Sequence, residues 1–101
     1  MIRIAPAIFV VALALPAWAD AIDDARICSK RTGDADKDIS VCTRAIEAGE
    51  LSQANLAATY YNRGISYVDK GEHERAVRDY SAAINLDPEQ SEAYYLSLIH
   101  I

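Results

Sequence analysis

Between Tyr60 and Pro88 the chain alternates aromatic and small side chains at helical spacing. No other stretch limits the possible fold as tightly. Tyr60, Gly64 and Tyr67 recur at intervals of four and three residues, which places them on one helix face. Gly71 breaks that run, and Ala76, Tyr80 and Ala83 then define a second helical face that Asp87-Pro88 brings to an end. Small residues at Gly64, Ala76 and Ala83 let two helix backbones approach closely, while the tyrosines fill the space that remains. Two short helices folded back on each other satisfy this pattern. It is a packing arrangement and holds no catalytic group.

Tyr60, Gly64, Tyr67, Gly71, Ala76, Tyr80, Ala83 and Pro88 supply an aromatic, a small residue, an aromatic, a turn glycine, an alanine, an aromatic, an alanine and a proline in order. In that order and spacing the segment from Ala57 to Gln90 resembles a tetratricopeptide repeat. Two positions depart from the family pattern: Arg63 stands where a leucine is usual, and His73 where an aromatic is usual. Arg63 is therefore expected between helices or snorkelling outwards, and His73 is expected to pack at the turn. The resemblance implies an all-α fold, an array of antiparallel helix hairpins forming a fragment of a right-handed superhelical solenoid. On this reading residues 52–90 are one complete repeat unit with its core at 57–90.

The chain begins with a segment of another kind. Arg3 gives a positive end, Ile4 to Leu15 is apolar apart from Pro6, and Pro16 precedes Ala17-Trp18-Ala19, a small-x-small cleavage pattern. Residues 1–19 read as an export signal cut after Ala19, with a cut after Ala21 as the alternative. A membrane anchor is the competing reading, but the run falls short of the ~20 apolar residues that a span needs. Export implies a periplasmic or secreted protein, and the resemblance points to the periplasm of a Gram-negative bacterium. Removing residues 1–19 takes away only Arg3, so the net charge of −5 becomes −6. That charge disfavours nucleic acid and anionic lipid surfaces, so neither nucleic acid nor, after signal cleavage, a membrane is an expected partner.

An exported address gives meaning to the two cysteines, Cys28 and Cys42. An even pair in an oxidising compartment reads as a disulfide, and neither a CxxC nor a CxxCH motif is present. Residues 20–51 read as a degenerate copy of the same hairpin. Gly33-Asp34 takes the place of the inter-helix turn, Ala45 that of Ala83, and Cys42 that of Tyr80. The first helix of this copy is poor, with Arg26 where Gly64 stands and Ser29 where Tyr67 stands. A Cys28–Cys42 bond would staple its two arms across a loop of roughly 15 residues, worth about 3 kcal/mol of chain entropy. In the alternative, Asp20 to Ser29 is extended and the cysteines tie it to a single helix. The two hairpins are offset by about four residues more than one repeat length, an insertion that either fills the connecting loop or lengthens the next helix by a turn.

Beyond Pro88, Ser91 to Tyr95 repeats the Ala57-to-Tyr61 opening, so residues 91–95 read as the start of a further repeat. Leu96-Ser97-Leu98-Ile99-His100-Ile101 then abandons the pattern. This hexapeptide resembles the in-frame translation of a transposon end used in sequencing adapters. Residues 96–101 are accordingly read as a non-native, adapter-derived tail on a truncated chain, with a natural hydrophobic terminus as the alternative.

Catalytic parts are missing from the sequence. The two histidines lie far apart, and no Ser/His/Asp set or phosphate-binding glycine loop is present. Asp34, Asp36 and Asp38 fail as a calcium loop, because Ile39 and Ala45 occupy the sixth and twelfth positions. They read as a solvated turn and helix start. No metal site and no cofactor are expected. The resemblance instead implies a peptide-binding groove at Ala58, Tyr61, Asn62, Ile65, Val68 and Asp69. Tyr61 offers rigid contact area, and Asn62 can pair with a peptide backbone or tie adjacent repeats. The expected function is that of a non-enzymatic protein-interaction scaffold binding a protein or peptide partner. Two alternatives stay open: these repeats are the docking part of a larger exported enzyme or receptor, or the chain self-associates through an open repeat end.

Overall fold

The computed structural model describes residues 17–90. The export signal read at residues 1–19 lies outside them up to residue 16, and the further repeat at 91–95 and the tail at 96–101 lie outside them entirely. Among the described residues four helices follow one another: α1 (Ala17–Lys30), α2 (Ala35–Glu47), α3 (Gln53–Lys70) and α4 (His73–Leu86), with a short 3₁₀ turn at Pro88–Gln90. The protein is an all-α array of helical hairpins, and no strand occurs among the described residues. Contacts between helix ends show the antiparallel course. The Gln53 side chain at the start of α3 donates to the Leu86 carbonyl at the end of α4. Lys70 at the end of α3 pairs with Asp36 at the start of α2, 2.6 Å away.

Local chemistry explains most of the boundaries. Asp34 caps α2 by accepting from the Lys37 amide, and Ser52 caps α3 by accepting from the Asn55 amide. Gly71, at φ 83°, closes α3. Its amide donates to the Val68 carbonyl and the Glu72 amide to that of Tyr67, the bond pair of a left-handed helix stop. Gly49, at φ 70°, follows the end of α2. The insertion between the hairpins is taken up by α3, which begins one turn ahead of Ala57 and runs for 18 residues against 14 in α4.

The sequence left open whether Asp20 to Ser29 is extended; it is helical, the body of α1. Cys28 and Cys42 form a disulfide between α1 and α2, and together with Val41 they are the buried cluster of this hairpin. In the second hairpin Gly64 lies directly against Tyr80: a methyl group at Gly64 would meet the tyrosine ring at 2.6 and 2.8 Å. That contact is why a residue without a side chain is needed there.

Two expectations change, and a third, open between two places, is decided. Asp38 is not solvated: it is 2 % exposed, and its carboxylate accepts from the Thr32 amide and hydroxyl, fastening the α1–α2 turn. The acidic trio thus divides its work between a helix cap, the pair with Lys70 and a buried turn acceptor. His73 does not pack but is exposed as the first residue of α4. Arg63 takes the inter-helix place rather than the outward one, through a partner the sequence did not suggest. Its guanidinium donates to both oxygens of Asp79 on α4, at 2.7 and 2.8 Å, and to the Thr43 hydroxyl on α2 at 3.2 Å.

Candidate functional site

α3 is the wall on which a cleft is built. One stripe of it, Asn55, Ala58, Thr59 and Asn62, faces a stripe of α1, Ile22, Ala25, Arg26 and Ser29, across a space of about 230 Å³. Both stripes follow the spacing i, i+3, i+4, i+7, so each helix presents a single face to the cleft. Ile22, Ala25 and Ala58 make the apolar part of the lining. The Thr59 hydroxyl is satisfied by the Asn55 carbonyl one turn back. The side-chain amides of Asn55 and Asn62 make no hydrogen bond among the described residues. Each therefore retains donors and an acceptor for a peptide backbone.

The disulfide positions the α1 wall. α1 places only Ala21 and Cys28 among the buried apolar residues, and the Cys28 sulfur lies 3.9 Å from the Thr59 carbonyl of α3. Asp24 on α1 adds a paired contact to Arg44 on α2 at 3.1 Å. The opposite side of α3 is fixed by Arg63, whose guanidinium carbon lies 5.4 Å from the Tyr60 ring centroid and 5.7 Å from that of Tyr67. The hydrogen bonds to Asp79 raise the pKa of Arg63 further above its ordinary value, outweighing the opposing effect of burial.

The groove positions expected from the resemblance are not all in one place. Ala58 and Asn62 line the cleft. Tyr61 is half-buried with its ring 5.8 Å from that of Tyr80. Ile65 is buried at 5 % exposure, Val68 is half-buried and Asp69 is exposed. The α1 wall, Asn55 and Thr59 were missed by sequence reasoning. The signal for the α1 wall is the helical spacing of Ile22, Ala25, Arg26 and Ser29, which is faint because Arg26 and Ser29 make half of that stripe polar.

Tyr80 carries an unusual group. Its hydroxyl is buried and has no hydrogen-bond partner among the described residues. Burial pushes its pKa up to about 12, with the neighbouring Tyr61 and Asp69 acting in the same direction. Among the described residues, no group of three or more His, Cys, Asp or Glu side chains is placed to hold a metal ion, and no helix is long and apolar enough to cross a membrane.

Residues 57–90 match the sequence model of the tetratricopeptide repeat. No curated protein and no solved structure matches the chain.

Proposed function

From the premise that the chain carries a tetratricopeptide repeat at residues 57–90, we propose that it is a non-enzymatic scaffold that holds a peptide segment of a partner protein in the α1–α3 cleft. The observation that carries this reading is the lining itself: apolar Ile22, Ala25 and Ala58 lie beside two side-chain amides with unused hydrogen-bonding capacity. Apolar contacts supply attraction, and paired amides fix the course of a bound backbone. The export signal read in residues 1–19 supports a periplasmic place of work, where Cys28 and Cys42 stay oxidised.

The test is selection of peptides from a displayed random library on the oxidised protein, followed by titration of the winners. Ala58→Trp fills the cleft and is expected to weaken binding at least about tenfold with an unchanged helical circular dichroism spectrum. Peptides that bind Ala58→Trp as well as the parent would place recognition elsewhere and end the reading. Export is tested separately, by sequencing the N-terminus of the protein recovered from the periplasm: a start at Asp20 is expected, and a retained Met1 refutes the signal.

A further inference from the structure

A second concavity, of about 290 Å³, lies round α3 from the cleft. It is bounded by Arg63 and Tyr67 of α3 and by Arg75, Arg78 and Asp79 of α4. The chain as a whole has a net charge of −5, yet three of its ten basic residues meet here. They are not equally committed. Arg63 is neutralised by Asp79, which gives it both carboxylate oxygens. Arg75 has only an exposed pair with Glu72 at 3.5 Å, and its guanidinium carbon stands 5.8 Å from the Tyr67 ring centroid. Arg78 is exposed and makes no ion pair among the described residues. Arg78 is therefore uncompensated and Arg75 only weakly held, which leaves the concavity cationic. The two are three residues apart on one helix face, with Cβ atoms about 5–6 Å from each other.

We propose that this concavity docks an acidic segment of a partner protein, one carboxylate on Arg75 and a second on Arg78. The planar guanidinium fork matches a carboxylate edge to edge, and Tyr67 restricts the plane of Arg75 before any ligand arrives. With both oxygens held by Arg63, Asp79 does not compete for Arg75 or Arg78, so the choice between spaced carboxylates and a single compact anion rests on the two arginines. Glu72 is the competitor that an incoming carboxylate displaces, and an exposed pair at its distance is readily exchanged. This docking surface does not depend on the α1–α3 cleft, since the two share no lining residue.

The experiment follows the side-chain Nε–H signals of Arg75 and Arg78 by NMR while a blocked Glu-Ala-Ala-Glu peptide is added to the oxidised chain. Saturable shifts at both arginines are expected, and they should weaken as salt is raised. The Gln-Ala-Ala-Gln peptide should give none. The Arg75→Ala/Arg78→Ala variant, altered only at exposed positions, should keep its circular dichroism spectrum and bind at least about tenfold more weakly. Equal binding by the glutamine peptide or by the double variant overturns the proposal. Inorganic phosphate producing the same shifts at the same concentration overturns the choice of carboxylates. Self-association without peptide that the double variant abolishes would make a second acidic copy of this chain the occupant, and would refute a foreign partner.

Discussion

The Arg63–Asp79 pair sets the most demanding test of how the hairpins hold together. Arg63→Leu puts the residue usual in tetratricopeptide repeats into this position, so a purely pattern-based view expects it to be harmless or helpful. The structure expects the opposite. The Asp79 side chain is 5 % exposed, and both its oxygens are satisfied by Arg63. Removing the guanidinium leaves a buried carboxylate without a donor, a loss of about 3–5 kcal/mol. The Thr43 hydroxyl and the faces of Tyr60 and Tyr67 lose their contacts in the same step. For a domain of this size each kcal/mol lowers the melting temperature by about 4–8 °C, so a fall of more than about 12 °C is expected. Asp79→Leu alone strands the arginine and should also destabilise. The double variant Arg63→Leu/Asp79→Leu removes both charges and should recover most of the loss, with a coupling of about 2 kcal/mol or more between the sites. Urea unfolding followed by circular dichroism measures all four corners of the cycle, provided the m-value is constant. An Arg63→Leu cost below about 1 kcal/mol refutes the reasoning. So does a double variant whose loss equals the sum of the single ones.

Three other outcomes follow from contacts already described. Reducing the Cys28–Cys42 bond, or replacing both cysteines by serine, should cost about 3 kcal/mol, read as a lower urea midpoint; an unchanged midpoint in reductant refutes the staple. Gly64→Ala drives a methyl into the Tyr80 ring and should cost about 1–3 kcal/mol, much of it recovered when Tyr80→Leu is added; additive losses would show that the ring is not the obstacle. Tyr80→Phe removes a buried hydroxyl that has no partner among the described residues, so it should be neutral or stabilise by about 1 kcal/mol near pH 7. The same variant tests a pH effect whose sign is fixed by the raised pKa. Because the folded phenol titrates near 12 against about 10 when unfolded, its proton is held more tightly in the folded state. The associated stability is complete below about pH 10 and is lost as pH rises towards 12. The phenylalanine variant should show a shallower alkaline loss over that window, and an identical slope would locate the titration elsewhere.

The second hairpin is legible in the sequence because its packing is written in residue size. Gly64 against Tyr80 leaves few arrangements for two helices, and Gly71 fixes where the chain must turn. The buried charges are not legible, since an aspartate in an amphipathic helix ordinarily marks the solvent side. Asp79 is buried only because Arg63 meets it from the neighbouring helix, and Asp38 only because the chain doubles back to bring Thr32 within reach. Neither partner is a sequence neighbour at helical spacing. The cleft is legible by halves for a related reason. Ala58 and Asn62 sit on a helix whose orientation the tyrosines dictate, whereas the aromatic of α1, Trp18, is exposed and does not set its rotation, so α1 depends on Cys28.

The two halves of the cleft are therefore held by different kinds of tie. α3 is fixed by packing from the repeat and by the Arg63–Asp79 pair, both within the unit of residues 57–90. Of the described side chains of α1, only the apolar Ala21 and Cys28 are buried, so its position relative to α3 is carried mainly by the covalent link to α2. A peptide lying between α1 and α3 must be met by both walls in register, and any looseness in one wall becomes an ordering cost at binding. The disulfide offsets that cost in advance, because it restricts α1 before the partner arrives. Damage to the Arg63–Asp79 pair should lower stability while leaving the α1 wall in place among folded molecules. Loss of the disulfide acts on the wall itself, so it should weaken peptide binding even in the molecules that remain folded.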